Sequence, residues 1–313
     1  MILSEKYKTA LVTGGAGFVG SHLVKRLLKE GLKVVSVDDY SSGKKYNLSD
    51  IRDNNFFEEE CDITDKAKMR SIFSSCNFDI VFHNAASKKN ICLKDPGRDL
   101  EVNGFGAFNL LKLSKEFNVK KFVHASTGSV YGEARYFPQD EEHPLVPLSY
   151  YGVSKLAGEK YCKLFSETKD LNTTVLRYFH VFGPNQECDP DLGGVVAIFL
   201  DRAKKGLPLV VHGDGMQQRS FTHVDDIVNI NLFVAQSEET RGEAYNCASG
   251  VNVTILELAK AVQGEYGEGI TIQYAPPLDG DIKIFDVSNN KLKNLGFKFS
   301  TNFRDGLKEL FQK

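Results

Sequence analysis

Tyr151 and Lys155 stand one helical turn apart in YYGVSK, so a helix there sets phenol and ammonium on one face. A phenol with its reference pKa of about 10 is a weak base at neutral pH. A lysine cation beside it favours the phenolate, which can then take a proton from a hydroxyl group. Upstream, Ser126-Thr127-Gly128-Ser129 brings hydroxyls to the end of the apolar run KFVHAST. Y-x-x-x-K is common on helices by chance, so its chemical meaning depends on a partner able to accept hydride.

Thr13-Gly-Gly-Ala-Gly-Phe-Val-Gly20 points to that partner. Gly14, Gly17 and Gly20 form G-x-x-G-x-x-G, and Gly15, Gly17 and Gly20 also satisfy G-x-G-x-x-G. Such a turn is tight and lets backbone approach a pyrophosphate. Its last glycine packs helix on strand, and the helix N-terminus supplies partial positive charge. The strand TALVT precedes the loop, the helix SHLVKRLLKEG follows, and Asp38 ends the next strand, VVSVDD. A carboxylate at that point accepts both adenosine ribose hydroxyls and repels a 2′-phosphate, which favours NAD over NADP. With an oxidised nicotinamide nearby, Tyr151 and Lys155 suit conversion of a hydroxyl to a carbonyl.

The elements that must position these groups read as strand–helix alternation. KAKMRSIFSS is a helix, DIVFHNAA a strand, VNGFGAFNLLKLSKEF a helix, KFVHAST a strand, YYGVSKLAGEKYCKLFSET a long helix and TTVLRYF a strand. Near-continuous apolar strands between helices predict a doubly wound parallel α/β sheet of the Rossmann kind. Beyond Tyr178 the rhythm loosens. FTHVDDIVNINLFVAQ suggests a return to the sheet followed by a helix. The expected division is a dinucleotide-binding domain over 1–178 plus 214–247 and a smaller discontinuous lobe over 179–213 plus 248–313.

Composition excludes several classes. Among 313 residues, 39 Lys and Arg against 41 Asp and Glu leave −2, without the basic field that nucleic-acid binding needs. No apolar run approaches the ~20 residues of a membrane span. The opening MILSEKYKTALVTGG does not have the form of a secretory signal. The six scattered cysteines contain no C-x-x-C pair, so reduced thiols and a cytoplasmic protein are expected. His22, His83, His124, His143 and His223 show no metal-ligand spacing, and no metal is expected.

The motifs TGGAGFVGSHL, HNAA, STGSVYG, YYGVSK, RYFHVFGP and RSFTHVDD, in this order over nearly the whole chain, resemble the extended short-chain dehydrogenase/reductases that act as NAD-dependent sugar-nucleotide epimerases and dehydratases. The resemblance implies cofactor contacts from Gly14, Gly17, Phe18, Val19, Gly20, Asp38, Asp39, Ser42, Gly43, Asp62, Ile63, Ala85, Ala86, Ser87, Asn103, Ser126 and Tyr178, besides Tyr151 and Lys155. It places Thr127, Tyr151 and Lys155 at the sugar hydroxyl. It implies substrate contacts from Thr127, His180, Val195, His212 and Arg219, the last on the nucleotide diphosphate. It also implies a homodimer joined through helices over about 101–118 and 150–167.

Family members share hydride removal from C4 and diverge afterwards. The 4,6-dehydratases carry Asp and Glu before V-Y-G, and pentose-forming decarboxylases carry the Glu. Here Gly128 and Ser129 cannot do that proton work. An NDP-sugar 4-epimerase is expected first, and an NDP-sugar 4-dehydrogenase such as one acting on GDP-heptose second. A non-catalytic dinucleotide sensor is disfavoured because both Tyr151 and Lys155 are present. Three departures concern the nucleotide end: His180 replaces the usual Asn, His212 an aromatic residue and Leu278 a second arginine. Losing that arginine would ordinarily weaken binding by roughly 1.5–3 kcal/mol, so the nucleotide stays open between UDP- and GDP-linked sugars.

Overall fold

A computed structural model describes residues 3–87, 89–189, 193–267, 269–277 and 283–311. Leu278, one of the three departures, lies outside them. The chain forms two compact units, the first made of Met1–Gly132, Leu145–Tyr178 and Ile227–Tyr245, the second of Glu133–Pro144, Phe179–Asp226 and Asn246–Lys313.

In the first unit the apolar runs become strands β1 (Thr9–Thr13), β2 (Lys33–Asp38), β3 (Phe56–Glu60), β4 (Ile80–His83), β5 (Lys121–Thr127) and β6 (Thr173–Tyr178), with Ala244–Cys247 as β7. Their order is β7-β6-β5-β4-β1-β2-β3. β1 lies parallel to both its neighbours, Val12 opposite Ser36 of β2 and Phe82 of β4. The strand order reverses between β1 and β4, the point where doubly wound sheets open a crevice at their carboxyl ends. Leu11, Val35, Phe73, Val81, Leu110, Phe122 and Val175 belong to one buried core beneath the helices. At the edge, β3 exposes Glu58, Glu59 and Glu60, charges that discourage further strand pairing.

Helices α1 (Phe18–Lys29), α2 (Lys66–Ser75), α3 (Ala107–Glu116) and α4 (Tyr150–Thr168) connect these strands. Asp65 caps α2 through the N–H groups of Ala67 and Lys68, and Ser149 caps α4 through Gly152. The single helix expected over VNGFGAFNLLKLSKEF is instead a wide π turn, Glu101–Gly106, leading into α3. A Cβ on Gly106 would meet Ile63 Cδ1 at 2.6 Å, so a side chain there would have to displace Ile63.

The second unit packs helices Val195–Lys204 and Ile255–Tyr266 around Phe199, Leu200, Leu258 and Val262, with Phe221 stacked on Phe303 at 5.2 Å. Thr222–His223 pairs with Val181–Phe182 rather than rejoining the large sheet, and the sheet's last strand is Ala244–Cys247. Arg219 and Ser220 pair antiparallel with Val253 and Asn252, while Gln139 bonds to Asp286, which is why 214–226 and 133–144 cluster with this unit. Among the described residues no helix is long and apolar enough to cross a membrane. None of the six cysteines forms a disulfide.

Candidate active site

A cavity of about 400 Å³ opens in the first unit at the carboxyl ends of its strands. Its floor is the glycine loop. Gly14 has φ +68°, and a Cβ there would lie 2.6 Å from Ala85 N; one on Gly20 would lie 2.0 Å from Gly14 O. Gly17, without a side chain, is the N-cap of α1 and leaves that helix end open towards the cavity. Asp38 is buried in the wall, its carboxylate accepting from Ala16 N at 3.0 Å and Tyr40 N at 2.9 Å. Burial pushes its pKa up against these two N–H groups.

At the other side of the cavity, α4 places Tyr151 and Lys155 in the wall beside Ser126 and Tyr178. Burial pushes the Tyr151 phenol up to about 12, a hydrogen bond with Thr127 works the other way, and Asp99 and Cys92 add to the rise. Burial pushes Lys155 down to about 8, opposed by Glu159, Cys162 and Asp99. Lys155 therefore still carries its charge at neutral pH, whereas the phenol keeps its proton until positive charge draws it off. His83 and His124 lie beside each other, ring centroids 5.1 Å apart, and burial followed by Lys155 holds both well below the usual imidazole range. They stay neutral under the cavity, His83 Nδ1 bonded to Thr13 Oγ1 at 2.8 Å.

Around this pair the scaffold is tightly bonded. Arg177 and Glu159 form a buried ion pair at 2.8 Å, Ser126 Oγ donates to Glu159 at 2.5 Å, and Arg177 Nη1 donates to Tyr131 at 2.7 Å. Thr127 Oγ1 accepts from Ser129 N at 3.2 Å at the start of the short turn Gly128–Val130. Neither Gly128 nor Ser129 brings a carboxyl to this turn. Tyr178 OH accepts from Asn231 Nδ2 at 2.8 Å.

All of the cofactor-side residues expected from the sequence line this cavity except Asn103. Asn103 lies behind the wall, where its Oδ1 accepts from Ser87 N at 2.9 Å and its Nδ2 donates to Asp99 and Ser154. It positions the Ser87 segment, because the π turn carries its side chain inward. Sequence reading passed over Asn84, Arg98 and Val102 in the lining. Thr127 is not part of the lining, although it pairs with Tyr178 across β5 and β6.

The residues expected at the nucleotide end lie in the second unit. The Arg219 guanidinium sits over the Phe285 ring at 5.3 Å, and the His180 ring meets Phe285 at 4.7 Å. His180 has φ +34°, in the left-handed direction that Asn tolerates better than most residues. His212 Nδ1 lies 3.0 Å from Pro276 O, and Val195 opens its helix. Phe285 was not anticipated, since IKIFDVS offers no local pattern. His223, Asp225 and Glu309 also gather ligand-type atoms within 4.8 Å. However, Asp225 N–H donates to His223 Nδ1 at 3.3 Å, which occupies the lone pair that a metal would need on that nitrogen, and Nε2 lies 3.6 Å from Glu309.

Known proteins share this fold and much of this sequence. A UDP-glucose 4-epimerase of Mycolicibacterium smegmatis is 34% identical over 304 residues, covering 95% of each chain. The crystal structure of UDP-glucose 4-epimerase with UDP-glucose from Thermotoga maritima superposes with a TM-score of 0.92 at 36% identity, covering 97% of each chain. That of the Thermus thermophilus UDP-glucose 4-epimerase in complex with NAD gives 0.88 at 34%, covering 97% of this chain and 99% of the other. The profile of the NAD-dependent epimerase/dehydratase family matches residues 10–248, from β1 through the glycine loop and the Tyr151–Lys155 pair to β7, and the chain belongs to that family.

Proposed function

We propose that the chain is an NAD-dependent NDP-sugar 4-epimerase. The observation that carries this reading is the placement of Tyr151 and Lys155 in the wall of the cavity floored by Gly14, Gly17 and Gly20. The glycine loop, the open end of α1 and Asp38 fit the pyrophosphate and adenosine ribose of NAD. NAD held there would supply the hydride acceptor, and afterwards the hydride donor, for C4 of the sugar. Lys155, cationic beside the phenol, lowers the energy of phenolate, so Tyr151 takes the C4 hydroxyl proton while Thr127 holds that oxygen. Tyr151 then gives the proton back to the same oxygen. Gly128 and Ser129 carry no acid or base for C5–C6 elimination, which favours epimerisation over dehydration.

Arg219 is the proposed partner of the nucleotide diphosphate, a role suited to a guanidinium whose face rests on Phe285. The relatives named as UDP-glucose 4-epimerases support a UDP-linked substrate. Incubation with UDP-glucose or UDP-N-acetylglucosamine should yield the C4 epimer without net NADH and without added reductant. Accumulation of a 4-keto product with stoichiometric NADH would overturn epimerisation in favour of dehydrogenation. GDP-sugars form the second arm of the same screen, because His180 and His212 depart from the usual residues.

A homodimer is proposed through α4, whose Tyr150, Val153, Tyr161 and Leu164 are exposed at helical spacing. Light scattering should give twice 34.9 kDa for the native chain and a monomer for Leu164→Glu; a native monomer would refute the interface. A cytoplasmic location, where thiols stay reduced, is proposed with this reading.

A further inference from the structure

The cavity wall contains two cations among its described residues, Lys155 at the tyrosine and Arg98 at the far end with Asp39, Ser41 and Asp62. β2 and β3 end there, on the opposite side of the strand-order reversal from β5 and β6. If NAD lies as proposed, with its nicotinamide near Tyr151, its adenosine lies near Arg98. The Arg98 guanidinium joins separate segments of the wall. Nη2 bonds Asp62 and faces Asp39 at 3.8 Å, while Nη1 faces Glu101 at 3.6 Å and donates to Thr64 Oγ1 at 3.3 Å. The backbone is fixed as well, since Asp95 accepts from Arg98 N at 2.9 Å. Although burial works against it, Thr64 and Arg98 hold Asp62 below the usual carboxylate range.

Arg98 is more than a surface charge. Its side chain is 31% exposed, and it links the ends of β2 and β3 to the π turn across the cavity's edge. An epimerase must return hydride from the same cofactor molecule, so the dinucleotide has to outstay the half-reaction. Residence of that kind is set mainly by the dissociation rate.

We propose that Arg98 is a cofactor-retention residue, an ion-paired clasp formed with Asp62, Asp39 and Glu101 that closes the adenosine end of the cavity. The proposal rests on the assignment of NAD to this cavity. The planar fork of arginine serves several oxygens at once, which a lysine ammonium cannot match. Because the pairs are partly exposed, salt weakens them.

The test is the NADH dissociation rate, followed by fluorescence after a chase with excess NAD. Arg98→Ala should release NADH at least about tenfold faster, and Arg98→Lys should recover only part of the difference. Release from the unmutated protein should quicken between about 0.05 and 0.5 M salt, while Arg98→Ala should be nearly insensitive to it. Turnover of Arg98→Ala should recover at saturating NAD, a KM effect rather than a kcat effect. A structural staple would instead lower the melting temperature of the cofactor-free protein and leave NADH release unchanged. That outcome, or salt-independent release from the unmutated protein, overturns the clasp. Should the unmutated protein bind no dinucleotide at all, the cofactor assignment fails and the clasp with it.

Discussion

Lys121 enters the large sheet at the first residue of β5, and Lys155 lines the cavity beside Ala125 and Ser126 from the same strand's other end. Both are buried and both have depressed pKa values, Lys121 near 7 and Lys155 near 8, with burial the first cause in each. Their surroundings differ. Lys121 Nζ donates to Asn172 Oδ1 at 2.8 Å and Thr240 Oγ1 at 2.9 Å. Those partners are committed in turn, Asn172 to Glu238 and Thr240 to Val234 O and Ser237 O. Lys155 faces a cavity, a phenol, two neutral histidines and the Arg177–Glu159 pair. A perturbed lysine therefore marks chemistry only where the strand ends leave room for a ligand.

The sharpest way to separate the two ends is Tyr151→Phe. At the cavity end it should lower turnover at least about 100-fold, the scale for loss of a general base, with the melting temperature and NAD affinity held. Lys121→Met, at the closed end, should leave turnover within about twofold. Comparable activity losses in the two variants would show that the cavity is not the seat of reaction.

Asp38 gives a smaller contrast, confined to the cavity end. Its carboxylate is already held by Ala16 N and Tyr40 N, so it is fixed in place to accept ribose hydroxyls. Asp38→Ser should narrow the preference for NAD over NADP by about tenfold or more, as the repulsion of a 2′-phosphate disappears. A cofactor titration in which the unmutated protein shows no preference would refute the role.

What could be read from sequence follows the same division. Y-x-x-x-K, the glycine loop and Asp38 are local patterns whose geometry is fixed by helical pitch, a tight turn and a strand end, and all three line the cavity. Arg98, Asn231 and Phe285 gain their places through contacts far along the chain, such as Asn231 to Tyr178, and no spacing announces them. Asn103, expected to contact the cofactor, is outside the cavity lining and is bonded to Ser87, Asp99 and Ser154. β3 was not anticipated, since FFEEE at the sheet's edge shows neither alternation nor a continuous apolar run. The return of the chain to the sheet was read at FTHVDD, yet Thr222–His223 pairs elsewhere and Ala244–Cys247 takes that place.

The closed end yields the smallest predicted effect, a pH dependence of stability. Lys121 releases its proton near pH 7 when folded and near 10.5 when unfolded. Between those values the unfolded chain binds more protons, so the unfolding free energy rises with pH; below 7 both states are protonated and the term is flat. From pH 7 to 8 the rise should be about 1 kcal/mol. Lys155 adds a smaller term of the same sign as the pH approaches 8, and it does so in both proteins compared. The buried thiols of Cys61, Cys162 and Cys247, whose pKa values burial raises, oppose it once unfolded thiols ionise near 8.5–9. His83 and His124 contribute chiefly below about 6.5, and equally in both proteins compared. Urea unfolding at pH 7.0, 7.5 and 8.0 should therefore show a slope in the native protein steeper than that of Lys121→Met by about 1 kcal/mol over the interval. Parallel curves for the two proteins would mean that Lys121 keeps an ordinary pKa, its bonds to Asn172 and Thr240 offsetting its burial.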